Sequence, residues 1–214
     1  EKGFDRPPQG TISGALRAVD LTARTPYTQQ WNVAIQQELA RSISLTVAYV
    51  GTKGTKLQGW PNANQPVPGT TPIAQRRPFP RFDTIQMVQT RFNSSYNGLQ
   101  VSGERRFSNG LGFLVAYTYS HTIDTTSQFG GVMDIRNIAL CRGNADFDAR
   151  HRLVTSWMYQ LPWKVSGKLS HVVGGWQVNG ILSLYDGLPF SVSAPNTLNI
   201  GSGTRGDRLR EGSL

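Results

Sequence analysis

The chain has 214 residues, with 22 Lys plus Arg against 13 Asp plus Glu and a formal net charge of +9, a length that suits one domain or a large piece of a bigger one. Charged residues reach only 16% and hydrophobic ones 38%, below the roughly 25% charge of ordinary soluble domains, so the chain is rich in uncharged polar residues and Gly. That is the composition of a turn-rich β-protein and excludes a helical bundle or an acidic disordered tail; the absence of any apolar run of about 18 residues excludes a spanning helix.

Residues 1–28 are read as a loop or lead-in segment. No apolar stretch of signal-peptide type occurs in Glu1–Gly10, so none is expected there. From Gln30 the residues alternate: Trp31, Val33, Ile35 and Leu39 are apolar, with Asn32, Gln36 and Glu38 between them. Ile43, Leu45, Val47 and Tyr49 then alternate with Ser44 and Thr46, and period two is the mark of a strand with unlike faces. Only Ala40-Arg41-Ser42 separates the runs Gln30–Leu39 and Ile43–Val50, so they are expected to pair as a hairpin. Gly51–Ser94 is a long polar connection holding many of the prolines, and Thr84–Thr90 within it is a weaker strand candidate.

A second hairpin is expected from Leu99, Val101 and Phe107, through Ser108-Asn109-Gly110, into Leu111, Phe113, Val115, Tyr117 and Tyr119. Asn-Gly between alternating runs is the strongest short-range hairpin signal. These last five residues are expected on one face, opposite Gly112, Leu114, Ala116, Thr118 and Ser120. After the long connection Thr122–Asp148 come Leu153, Thr155, Trp157, Tyr159 and Leu161, and beyond Pro162–Gly174 come Trp176, Val178, Leu182 and Leu184. Asp186-Gly187 then turns into a short expected strand, Phe190–Val192, and 195–214 is read as an irregular C-terminal loop. The expectation is an all-β, antiparallel segment of about seven strands over 29–194.

Short turn, long loop, short turn, long loop is how outer-membrane barrels are built, with tight turns on one rim and long loops on the other. If both short turns are periplasmic, an even number of crossings lies between them, so Thr84–Thr90 belongs to an extracellular loop. Trp31, Tyr49, Tyr117, Tyr119, Trp157, Tyr159 and Trp176 fit interfacial aromatic girdles. The alternation alone fits a soluble sandwich or barrel equally well, since any antiparallel sheet with one wet face shows it.

Thr25-Pro26-Tyr27-Thr28-Gln29-Gln30-Trp31-Asn32, Gln36-Gln37-Glu38-Leu39 and Ala48-Tyr49-Val50-Gly51-Thr52-Lys53-Gly54 together resemble a barrel hairpin of TonB-dependent outer-membrane receptors of the Oar-like group, whose members carry a carboxypeptidase-regulatory-like domain. Ser95-Tyr96-Asn97-Gly98-Leu99-Gln100 with Glu104-Arg105-Arg106-Phe107 and Tyr117-Thr118-Tyr119-Ser120 resembles the next hairpin. Phe147-Asp148-Ala149-Arg150-His151-Arg152 resembles the entry to a later strand, and Gly175-Trp176-Gln177-Val178-Asn179-Gly180 with Gly187-Leu188-Pro189-Phe190 the pair after it. The resemblance runs over Thr25–Val192. It implies a segment of the C-terminal barrel of a Gram-negative outer-membrane receptor that takes up a scarce nutrient by binding and gating. It also implies outer-membrane lipid, a small ligand and an inner-membrane energy-coupling protein as partners, the last acting through a plug region this sequence lacks. Such receptors have barrels of about 22 strands, so this chain is expected as a fragment or as a self-closed small barrel. Its first and last strands, Gln30–Leu39 and Phe190–Val192, are expected to be protected by each other or by another copy. The alternative is a soluble basic β-domain that binds a polyanion or carbohydrate, or a β-rich hydrolase.

Chemistry-bearing constellations are sparse. Of the three histidines, His121 with Asp124, and His151 with Asp146 or Asp148, bracket the second long connection and are weak candidates for a metal site; no metal or cofactor is expected. Cys141 can make no internal disulfide and fits no zinc or redox spacing; Arg142 beside it could lower its pKa, but no His is near in sequence. No Gly-x-Ser-x-Gly elbow occurs, Gly201-Ser202-Gly203 reads as a flexible loop, and Gly51-Thr52-Lys53-Gly54-Thr55-Lys56 lacks the spacing and following helix of a phosphate loop. The basic residues form no run and sit on no recognition helix, so no nucleic-acid partner and no enzymatic activity are expected.

Overall fold

Two local turns organise the sheet. Asn109 and Gly110 adopt φ of 53° and 79°, the paired positive values a two-residue hairpin turn requires and that Asn and Gly tolerate best. Ser42, at φ 69°, closes the other short turn. In the computed structural model, which describes residues 12–127, 132–163, 174–194 and 198–205, these turns join strands far longer than the alternating runs. The strands are β1 (Ile12–Val19), β2 (Tyr27–Ala40), β3 (Ile43–Gly59), β4 (Phe82–Ser108), β5 (Leu111–Asp124), β6 (Gly143–Asn144), β7 (His151–Gln160), β8 (Gln177–Tyr185), β9 (Ser193–Ala194) and β10 (Thr204–Arg205). Single 3-10 turns lie at Ile73–Arg76 and Ile138–Cys141.

The main sheet runs β2-β3-β4-β5-β7-β8, every neighbour antiparallel. Both expected hairpins form, and the parity argument holds: Thr84–Thr90 is the outer end of the 27-residue β4, not a separate crossing. A tilted membrane crossing needs only about 9–11 residues, and β3 and β4, of 17 and 27 residues, exceed that length on the long-loop side.

Several expectations are corrected. The connection read as Gly51–Ser94 shrinks to 60–81, because β3 and β4 keep pairing out to Gly59 and Gln89. The lead-in 1–28 contains β1, which pairs with the protruding end of β4 and does so in parallel, Leu16 opposite Ile85; that end of β4 offers backbone groups that an antiparallel neighbour does not take. Phe190–Val192 is not a strand, since no strand runs alongside it among the described residues; pairing starts instead at Ser193–Ala194, against Thr204–Arg205 within the segment read as irregular. The arc also does not close on itself. β2 and β8 do not pair, and every residue of β2 is exposed. Six through-strands fall short of the roughly eight that make the smallest filled barrel.

Register gives the sheet two unlike faces, because directly paired residues project to the same side. One row reads Ile35, Val47, Val101, Tyr117, Leu153 and Leu184. The row one step along, on the opposite face, reads Gln36, Thr46, Ser102, Ala116, Val154 and Ser183. The first face carries Leu111, Phe113, Val115, Tyr117 and Tyr119 of β5, as expected. It lies open, with Val115 37% and Tyr119 46% exposed. The polar face is interrupted near the short turns, where an open groove of about 770 Å³ includes Leu114, Met158 and Ile181; Leu114 is 44% exposed, so solvent exposure does not separate the faces. Among the described residues neither surface has a covering layer, unlike a soluble sheet with one buried face.

Aromatic rings mark both ends of the apolar face. Trp31 lies over its cross-strand partner Gly51, and Trp157 over Gly180. A Cβ at either glycine would overlap the indole, so the missing side chain lets the ring lie flat on the sheet. Gly180→Val is therefore expected to displace Trp157 and cost about 1–3 kcal/mol. Gly103→Val, where nothing lies within 4 Å of an added Cβ, is expected to be near neutral. Urea unfolding midpoints of the two variants in lipid vesicles check this.

Candidate ligand-capture lobe at the long-loop rim

The most completely buried side chains lie at the long-loop rim, in the connections and in the outer end of β4. Phe92, Val132 and Cys141 form a small core, 1–7% exposed, with Leu57, Met133, Ile135 and Ile138 packed around it. Pro61, Asn64 and Ile200 are also fully buried. The lobe thus joins the protruding β3 and β4 to three segments: 60–81, the stretch after β5, and 198–202.

Side-chain amides hold these segments together, since irregular backbone has no ladder to satisfy it. Asn64, with no exposed surface, donates from Nδ2 to the carbonyls of Phe79 (3.0 Å), Phe82 (2.8 Å) and Asp83 (3.2 Å), and its Oδ1 accepts the Phe79 N–H at 2.8 Å. Gln65 spans two connections. Its Nε2 donates to Met133 O at 2.8 Å and to Ser202 Oγ at 3.1 Å, while its Oε1 accepts the Ile135 N–H at 2.7 Å. Arg76 donates to the carbonyls of Thr71, Val67 and Asn199, and Asn199 returns a bond to Gly69 O at 3.1 Å. Arg136 reaches back to Pro66 O at 3.0 Å. At the root, Asp20 accepts both the hydroxyl and the N–H of Thr22, which hold its carboxyl below the usual range; that stabilisation is present above the unfolded-state pKa and is lost as pH falls through the lowered value.

The candidate metal residues do not converge. His121 Nδ1 bonds Asp148 Oδ2 at 2.8 Å, and the other Asp148 oxygen accepts the Thr122 N–H at 2.7 Å. His151 is engaged elsewhere, by the Tyr117 hydroxyl at 2.6 Å and the Tyr119 ring at 5.1 Å. Asp124 accepts the Ser127 hydroxyl at 2.7 Å, and Arg150 stands 4.0 Å from Asp148. Among the described residues no three His, Cys, Asp or Glu side chains group as metal ligands; His171 lies outside them. Ser202, in the Gly-Ser-Gly segment, is a latch whose hydroxyl donates to Met133 O at 2.5 Å. Cys141 is buried, its sulfur 3.2 Å from the Met133 N–H. Lys56 lies over the Tyr27 ring at 5.9 Å. Sequence reasoning missed Asn64, Gln65 and Arg76. The available signal was a polar run, Asn62 to Gln65, set between Pro61 and Pro66 in a stretch too rich in proline for a strand.

An uncovered sheet with one apolar and one polar face, aromatic rings at the ends of the apolar one and ordered loops on a single rim is barrel-wall geometry. A family model for the outer membrane beta barrel domain matches residues 2–212. The chain belongs to the outer membrane β-barrel domain family. No curated protein and no solved structure is significantly similar to it. The family bears out the outer-membrane barrel reading over the soluble alternative, and barrels of this kind are typically non-enzymatic.

Proposed function

We propose that this barrel domain is the wall and part of the ligand-capture rim of a TonB-dependent receptor in a Gram-negative outer membrane. It works by binding and gating, with no bond chemistry. The observation that carries the proposal is the cross-linked loop lobe at the long-loop rim. Long loops left free would lose their conformational entropy each time a ligand bound, and a lobe already fixed by Asn64, Gln65 and Arg76 has lost it on folding. The polar face then lines the route inward, and the apolar face meets outer-membrane lipid. A plug region in the lumen and an inner-membrane energy-coupling protein complete the cycle, and the ligand is a scarce small solute such as a metal chelate, oligosaccharide or peptide.

The test has two steps. Metal chelates, oligosaccharides and peptides are screened by thermal shift on the folded protein in detergent. Uptake of the class that binds is then followed in cells making the protein, with and without a protonophore. The reading expects one class to raise Tm and its uptake to collapse when the cells are de-energised. Uptake that proceeds equally in de-energised cells would contradict it.

A further inference from the structure

A second feature of the rim is independent of the transport reading. Between the ends of β3, β4 and β5 lies a cleft of about 260 Å³ lined by Lys53, Ser94, Ser95, Asp124 and Arg142, among others. Lys53 is half-buried and Arg142 exposed, and neither the ammonium nor the guanidinium makes a hydrogen bond or ion pair with any described residue. Two unpaired cations converging on one small cleft repel each other, so the arrangement favours an anion between them. Asp124, paired with Ser94 on the opposite face, is 8% exposed and already accepts the Ser127 hydroxyl, so it leaves the two charges uncompensated on the Lys53 face. The Ser95 hydroxyl, on the residue paired with Lys53 and so on its face of the sheet, adds a neutral donor to the same space.

We propose that this cleft binds a phosphate group. A guanidinium fork, an ammonium point charge and a hydroxyl suit a tetrahedral oxyanion with several acceptor oxygens better than a planar carboxylate. The cleft is larger than phosphate alone, leaving room for the molecule that carries it. Its height indicates the source. Lys53 follows Gly51 by two residues on the same face, and Gly51 lies under Trp31. The site therefore stands about 7 Å above the aromatic row that marks the bilayer boundary. That is headgroup depth, where an outer-leaflet glycolipid presents its phosphates; a soluble phosphorylated solute is the other source.

The experiment uses the full chain folded in a phosphate-free maltoside micelle. Inorganic phosphate is titrated by calorimetry, and lysine acetylation is mapped by mass spectrometry with and without phosphate. We expect saturable one-site binding, weakened at least tenfold in the Lys53→Met, Arg142→Met double variant. In the unaltered protein, phosphate is expected to shield Lys53 from acetylation while leaving Lys56 reactive, a readout that needs no variant to fold. Lipid A displacing phosphate at lower concentration than glucose 6-phosphate assigns the site to the membrane, and the reverse order assigns it to a soluble solute. Absence of saturable phosphate binding, or equal acetylation of Lys53 with and without phosphate, would overturn the proposal.

Discussion

Asn64→Ala is expected to open the loop lobe while leaving the membrane-crossing sheet intact. The side chain is fully buried and satisfies three carbonyls and the Phe79 N–H. Alanine would strand those groups away from water, each at a cost of about 1–3 kcal/mol, less whatever water enters the space. A local loss of about 3 kcal/mol corresponds to roughly 100-fold faster hydrogen exchange at the Phe79 amide. Amides of the β4–β5 ladder, such as Val101, are expected to keep their protection, because β4 and β5 pair without interruption from Ser94↔Asp124 to Arg105↔Phe113. Exchange of the folded protein in detergent, read by mass spectrometry, checks both halves. Unchanged exchange at Phe79 would mean that the lobe is held by its small apolar core and not by its amides.

The second large effect separates the two faces. Val115 sits at the middle of the apolar face of β5, paired with Gly103 and Thr155, and Ala116 sits next to it on the polar face, between Ser102 and Val154. Val115→Arg would place a cation at the bilayer midplane, costing about 2–4 kcal/mol. Ala116→Arg points into the lumen, where water and polar neighbours are available, and is expected to cost under about 1 kcal/mol. Reversible unfolding from phospholipid vesicles measures the difference. Equal costs would mean that neither face meets lipid; a larger cost for Ala116→Arg would exchange the roles of the faces.

How far the sequence reveals this fold depends on the range of the interactions. The turns at Ala40–Ser42 and Ser108–Gly110 are legible because their signal is local: alternation on both sides and residues that accept positive φ. Strand ends are poorly legible. Beyond about Gly51 and before Ser94 the strands leave the membrane, alternation is no longer imposed, and pairing continues through backbone bonds alone. β1 is invisible for a related reason, since its partner Phe82–Val88 lies about 70 residues away and parallel pairing needs no turn signal. Phe190–Val192 shows the opposite error, a short alternation with no neighbour to pair with among the described residues. The lobe was illegible because Gln65 finds partners 68 to 137 residues distant. The His121–Asp148 contact was half visible: both residues were singled out, but His151 and Asp124 were grouped with them, and in the fold these turn to Tyr117 and Ser127.

The open edges bear on the same question. In a bilayer the unpaired N–H and C=O groups of β2 and β8 would each cost several kcal/mol, so both edges are expected to pair there, with further strands or with another copy of the chain. The faces need no such completion to be assigned, since register alone sets them. The most direct measurement is therefore a nitroxide scan over Leu111 to Ser120 in the protein inserted into lipid vesicles, comparing collision with oxygen, which concentrates in lipid, against a water-soluble nickel chelate. Period-two alternation is expected, with labels at 111, 113, 115, 117 and 119 favouring oxygen and those at 112, 114, 116, 118 and 120 favouring the chelate. Equal accessibility along the run, or alternation in the opposite phase, would contradict it.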